Sequence, residues 1–144
     1  MKLRVRGNSI RLRLSQDEVQ KVGRGESVEE LTGFPGGSKL RYALIPTNNE
    51  NPRAFCLENS VIVEIPNQMA ETWASSKVVE IKFELPLNST GDSYIESTGE
   101  FGRDSSEQLF VLIEKDFQCL KTRTNENEDE SGLFPNPNHA KGHC

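Results

Sequence analysis

The chain has two histidines, His139 and His143, within the last six residues, and Cys144 directly follows His143. A further cysteine, Cys119, lies upstream. Imidazole nitrogens and thiolates are the ligands that zinc and related transition metals prefer. Structural zinc sites commonly use two closely spaced ligand pairs, and a second cysteine pair is missing from this sequence. We therefore expect no metal and no other cofactor, and these four residues stay only as metal candidates.

Charged residues gather at the end of the last predicted strand, where Glu114, Lys115 and Asp116 are followed by Arg123. Such groups serve acid–base chemistry or ligand binding when a pocket shifts their pKa values. However, no motif marks a nucleophile with its base or a glycine-rich phosphate loop. We expect a non-enzymatic protein, and the alternative is a small-ligand site or an enzyme site around these four residues.

The first strands combine basic and apolar residues in strict alternation, which is typical of a hairpin with one buried face. The outward cations are Lys2, Arg4, Arg6, Arg11 and Arg13. Three interpretations remain open for this basic face. It could be a solvated surface paired with the chain's own glutamates, a nucleic-acid contact that releases counterions, or a contact with an acidic protein segment.

The distribution of charge argues against nucleic acid as the preferred partner. Residues 1–45 hold nine Lys or Arg and five Asp or Glu, whereas residues 46–144 hold eight and seventeen, which gives the net charge of −5. A symmetric DNA reader needs two equivalent basic elements. We therefore expect an unknown protein or polyanion as the partner, with nucleic acid second, no membrane, and a monomer or weak dimer.

An internal repeat organises the chain, because residues 8–31 reappear without a gap 51 positions later. Residues 42–45 also align with residues 110–113, at an offset of 68 instead of 51. The second repeat is therefore 17 residues longer, and the additional residues form a loop-like insertion within 86–106. Each unit is too small to bury a core alone, so we expect the two to share one. Repeat one covers 1–46 and repeat two 53–114.

Each repeat reads as two strands, a short helix and two strands. Gly7-Asn8 supplies a turn, Ser15 caps a helix with acidic residues in its first turn, and Pro66 enters a second helix over 67–74. Leu12 and Val63 are expected at equivalent buried positions, and Trp73 in the core.

The second hairpin has an apolar outer face where the first is basic. Its residues at the positions of Arg4, Arg6 and Arg11 are Phe55, Leu57 and Ile62. A soluble monomer rarely leaves such a patch bare. We expect the insertion or the tail to cover it, or else a partner to bind it, and we interpret Cys56 as a small core residue.

The chain resembles the swapped-hairpin domain of AbrB-type transcription factors and antitoxins in three successive segments. These are the sequence Gly-Asn-Ser-Ile-Arg-Leu-Arg-Leu-Ser, an acidic helix and the sequence Gly-Arg-Gly-Glu-Ser-Val-Glu-Glu. This resemblance implies a mostly β (α+β) fold, in which two β-β-α-β-β units interleave their hairpins into one barrel over residues 1–117. In such antitoxins an acidic tail wraps the toxin.

Residues 118–144 match the acidic tail of those antitoxins in their position after the predicted barrel and in their composition. Their charge and scarcity of apolar residues predict disorder, and Phe134 offers one aromatic anchor before Pro135. The segment from Glu114 to Leu120, with Phe134-Pro135, also resembles the ending of a family of uncharacterised bacterial proteins. No segment has the length of a membrane span or the character of a signal peptide, so we expect a cytoplasmic location. The predicted binding residues are Arg4, Arg6, Arg11, Arg13, Lys115, Asp116, Arg123 and Phe134.

Overall fold

The computed structural model describes residues 1–88, 95–96, 107–117 and 132–135. Nearly all of the predicted insertion and most of the tail, including Cys119, Arg123, His139, His143 and Cys144, therefore lie outside the described residues. The chain is mostly β with two short helices. Its elements are β1 (Lys2–Arg6), β2 (Ser9–Leu14), α1 (Gln16–Gly23), β3 (Val28–Gly33), β4 (Lys39–Thr47), β5 (Arg53–Leu57), β6 (Ser60–Pro66), α2 (Asn67–Ser75), β7 (Glu80–Pro86), β8 (Ile95–Glu96) and β9 (Gln108–Lys115).

Tight turns close the two hairpins as the sequence predicts. Gly7 adopts a φ of 52° between β1 and β2, a conformation that glycine reaches without the steric cost of a Cβ. In the β5–β6 turn Glu58 holds the same φ of 52° with a side chain present. The second turn therefore stores a small amount of backbone strain that the first avoids.

The predicted helices are confirmed, and each presents an apolar stripe to the interior. The Glu18 carboxylate of α1 accepts the Ser15 N–H at 2.8 Å, and this bond satisfies a backbone donor at the helix entrance. α1 and α2 pack tightly against each other: a Cβ on Gly23 would lie 2.5 Å from the Ala74 Cβ. Glycine at position 23 is what permits this approach.

The strands form two sheets, with the orders β1-β2-β9-β7-β8 and β3-β4-β6-β5. Neighbours are antiparallel except for β2 with β9 and β4 with β6, which are parallel. Each sheet therefore joins a hairpin from one half of the chain to strands from the other half.

The expected closed barrel is not formed by the described strands. The sheets end in the edge strands β1, β8, β3 and β5 instead of pairing with each other. Side chains from both sheets and from both helices share a single core, so helix packing covers apolar surface that a barrel would bury by closure.

The alternation in the sequence correctly predicts the centre of this core. Leu12 is 1% and Val63 is 0% exposed, and Trp73 is 2% exposed. The expectation for Cys56 is wrong, because this side chain is exposed. Cys56 pairs with Val61, next to the pair of Ala54 with Val63, but it is the penultimate residue of an edge strand whose last three residues are all exposed.

No helix in the described part of the chain is long and apolar enough to cross a membrane.

Candidate functional site

The β1–β2 register places the cations of the basic face directly opposite one another. Lys2 pairs with Arg13 and Arg4 with Arg11, while Arg6 lies opposite Ser9. Like charges at opposed positions of a hairpin destabilise it unless a counter-charge is close. The neighbouring strand β9 provides that counter-charge.

Glu114 of β9 neutralises the inner cations of the hairpin. It is the parallel-strand partner of Arg13, whose Nε donates a hydrogen bond to Glu114 Oε1. The Arg11 Nε lies 3.8 Å from the same oxygen, within ion-pair distance. A single carboxylate thus faces two guanidinium groups.

Asp116 performs the same role at the base of the hairpin. The Lys2 Nζ lies 3.1 Å from its Oδ2, and the Asp116 carboxylate is almost fully buried. Arg4 and Arg6, by contrast, are exposed and make no salt bridge with any other described residue. Among the described residues, the hairpin cations that face no carboxylate are therefore the two nearest its tip.

Lys115 turns away from this face into the interior. It pairs with Leu14 in the sheet register and is only 7% exposed. Its Nζ donates a 2.7 Å hydrogen bond to the Ser76 carbonyl and lies 5.7 Å from the ring centroid of Trp73 and 5.6 Å from that of Phe134. Cation–π attraction compensates part of the lost hydration, and burial lowers the pKa of Lys115 from its ordinary value of 10.5.

The lowered pKa of Lys115 gives a pH prediction. Between the folded-state pKa and 10.5 the unfolded chain binds more protons than the folded one, so this lysine makes stability rise with pH in that window. Its destabilising contribution is fully present below the folded-state pKa. We expect the unfolding free energy of Lys115→Met, minus that of the wild type, to decrease as the pH is raised from about 7 toward 10.5.

Urea denaturation across this range measures the difference. Tyr42, whose pKa is raised mainly by burial, titrates in both proteins and cancels from the comparison. A constant difference would mean that Lys115 is as well solvated in the folded chain as in the unfolded one.

The aromatic anchor of the tail, Phe134, lies against the body of the domain. The Phe134 N–H donates to the Asp116 carbonyl at 2.9 Å, and the Gln16 N–H donates to the Gly132 carbonyl at 2.9 Å. The ring of Phe134 is 5.6 Å from that of Phe117, tilted by 54°, and packs at the margin of the core. Residues 132–135 thus form a strap beside the end of β9.

The charged cluster predicted around Glu114 does not converge on one point. Glu114 faces the outer surface with the arginines, Lys115 faces the core and Asp116 binds Lys2, while Arg123 lies outside the described residues. The side chains meet different partners because successive residues of a strand point to opposite faces. In the described ranges, no three His, Cys, Asp or Glu side chains are grouped as metal ligands.

The apolar outer face of the second hairpin has two exposed side chains and one half-buried one. Leu57 is 63% and Phe55 38% exposed, and Ile62 is half-buried. Leu31, on the opposite edge strand of the same sheet, is also exposed. The expected cover, the insertion or the tail, lies almost entirely outside the described residues.

A cleft of about 720 Å³ opens between α2 and β7, lined in part by Met69, Trp73 and Phe83. The buried Trp73 Nε1 has no hydrogen-bond partner within the described ranges. Sequence patterns could not indicate this space, because it depends on how far a helix stands from a strand.

A family model described as a family of unknown function (DUF7009) matches residues 1–138. No curated protein and no solved structure matches the chain.

Proposed function

Since the chain belongs to a family of unknown function (DUF7009), we propose its function from its own surface. It acts as a non-enzymatic binding module that contacts an anionic segment of a macromolecule through the tip of the basic hairpin. Arg4 and Arg6 make the contact.

The observation that carries this proposal is the difference between the two ends of the hairpin. Arg11, Arg13 and Lys2 face Glu114 or Asp116, and their charge is used inside the molecule. The exposed Arg4 and Arg6 lie next to the turn, where an incoming chain meets the least steric hindrance. These two guanidinium groups have no salt-bridge partner in the described part of the chain, and a guanidinium group can bind a carboxylate or a phosphate with bidentate geometry.

An acidic protein segment is the preferred partner. The second hairpin carries Phe55 and Leu57 where the first carries Arg4 and Arg6, so a symmetric duplex would find one basic element and one apolar element. A peptide with a few carboxylates can touch the tip alone.

The proposal extends to the origin of the fold as a duplicated swapped-hairpin unit. The topology supports this, because the hairpin of each half lies in the sheet of the other half. The register supports it as well: Leu12 pairs with Ile113 in parallel, and Val63 pairs with Leu44 in the same way. The downstream offset is then 69 residues, one more than the sequence comparison predicts.

A small-ligand or enzyme site beside Glu114, Lys115, Asp116 and Arg123 remains the alternative proposal. Its support is weaker, because Glu114 and Asp116 already pair with cations of the first hairpin, whereas Lys115 points to the opposite face.

We expect the double variant Arg4→Ala/Arg6→Ala to lose at least about tenfold in affinity for a labelled polyglutamate peptide at low salt. Two cation–anion contacts are removed, so the salt dependence should also become shallower. Fluorescence anisotropy titrations at several salt concentrations measure both effects. Random duplex DNA is the second probe, and tighter binding to DNA than to polyglutamate would reverse the order of the partners.

The matched control is Arg24→Ala/Lys39→Ala, which removes the same charge from two exposed positions elsewhere. Its affinity should change by less than about threefold, since screened charges act only over a Debye length. Equal losses in the two double variants would indicate a net-charge effect without a site. Absence of binding at micromolar protein would overturn the proposed contact.

A further inference from the structure

The strap, residues 132–135, occupies a groove between the start of α1 and the end of β9, with Phe117 and Lys115 at its floor. We propose that this groove is a peptide-binding site for an extended segment in which an aromatic residue precedes proline. The strap is then a tethered competitor that fills the site until such a partner displaces it. This inference is independent of the basic hairpin.

The backbone groups of the groove recognise an extended chain regardless of its side chains. Gln16 is the first residue of α1, and its N–H has no acceptor within the helix. This N–H donates to the Gly132 carbonyl, and the Asp116 carbonyl accepts from the Phe134 N–H. Phe117 and Phe134 form an isolated parallel β-bridge. This bridge is the smallest unit of the pairing by which an extended peptide adds to the edge of a sheet.

The side chains of the groove select an aromatic residue. The centroid of the Phe134 ring lies 5.6 Å from the centroid of the tilted Phe117 ring and 5.6 Å from the Lys115 Nζ. An aliphatic side chain would fill the space but would have no π-face for the partly dehydrated ammonium. Lys115 is held in place from the other side by Trp73 and by the Ser76 carbonyl.

The proline restricts the conformation of the ligand. A residue before proline favours the extended region, which is the conformation a strand-like ligand must adopt. Pro135 itself is exposed and has no N–H to donate, so the pairing ends there. A phenylalanine followed by proline thus binds with a smaller loss of backbone entropy than a freer dipeptide.

The contacts between the strap and the other described residues are individually weak. They include two backbone hydrogen bonds, the ring pair with Phe117, the cation–π contact with Lys115 and packing of Phe134 at the margin of the core. A tethered segment faces its site at an effective concentration on the order of millimolar, so a weak contact can stay closed. An external peptide of equal affinity therefore binds only after the strap is weakened.

The test uses a labelled peptide with the sequence of residues 130–137 and the full-length chain carrying Phe134→Ala. We expect this variant to bind the peptide at least about tenfold more tightly than the wild type, because the tethered competitor has lost its ring. A peptide with alanine in place of its phenylalanine should bind neither protein. Adding Phe117→Ala to the Phe134→Ala variant should abolish peptide binding.

The matched control is Phe34→Ala, which removes an exposed phenylalanine from the turn between β3 and β4. It should bind the peptide no better than the wild type. Circular dichroism establishes that each variant is folded, and Phe134→Leu serves as a milder variant if Phe134→Ala is not.

Three results would overturn the proposal. These are equal peptide binding by the wild type and a folded Phe134→Ala, unfolding of both Phe134 variants, and a wild-type dimer that Phe134→Ala dissociates. The second would make Phe134 a core residue, and the third would mean that the groove receives the strap of a second copy.

Discussion

Replacing Leu12 with alanine is expected to lower the unfolding free energy by about 2–5 kcal/mol. Leu12 is 1% exposed at the centre of β2, between Leu3 of β1 and Ile113 of β9. The truncation removes buried methyl groups and leaves a cavity that two sheet neighbours cannot easily fill. Val63, fully buried between Ala54 and Leu44, should show a smaller loss because its side chain is smaller.

Equilibrium unfolding in urea measures both changes. Val5→Ala is the matched control, since Val5 belongs to the same hairpin but is mostly exposed, and its effect should stay within about 0.5 kcal/mol. If Leu12→Ala were equally mild, the packing of the hairpin onto the other half of the chain would be loose.

Replacing Trp73 with alanine should cost about 3–5 kcal/mol, whereas Trp73→Phe should cost much less. The indole is 2% exposed and packs in the shared core, so alanine leaves a large void. Nε1 has no hydrogen-bond partner in the described part of the chain, so replacement by phenylalanine breaks no hydrogen bond there. It also removes the unfavourable free energy of burying this N–H without a partner. The phenyl ring also retains a π-face toward Lys115.

Far-UV circular dichroism is the appropriate measurement, since the chain has a single tryptophan and these variants lose its fluorescence. Val78→Ala is the control, because Val78 lines the same cleft as Trp73 but is more than half exposed. Similar losses for Trp73→Phe and Trp73→Ala would mean that the indole N–H does have a stabilising partner.

Local features of this fold are readable from the sequence. The alternation of apolar and basic residues correctly predicts the first hairpin, and Gly7 correctly predicts the position of its turn. Ser15 with Glu18 marks the start of α1, and Pro66 marks the start of α2. Each of these signals acts within a few residues, where side-chain type directly restricts the backbone.

The candidate site depends on pairings that no local signal encodes. The sequence places five cations on one face, but it cannot tell that Glu114 meets Arg13, which lies 101 residues away. The residue types of Lys115 and Phe134 predict that each is a binding residue, but their contact follows from the return of residues 132–135 to the end of β9. The alternation of the strand predicts that Cys56 points toward the core. Its side chain is nevertheless exposed.

The exchange of hairpins between the two halves has a consequence for synthesis on the ribosome. β2 leaves the exit tunnel early, but its parallel neighbour β9 is made about a hundred residues later. Until then the first hairpin lacks the strand that lies beside Leu12, and the basic face lacks Glu114 as its counter-charge. Loop-closure entropy over that distance makes the pairing slow. The native sheet around the first hairpin can therefore form only after the roughly hundred residues between β2 and β9 have been translated.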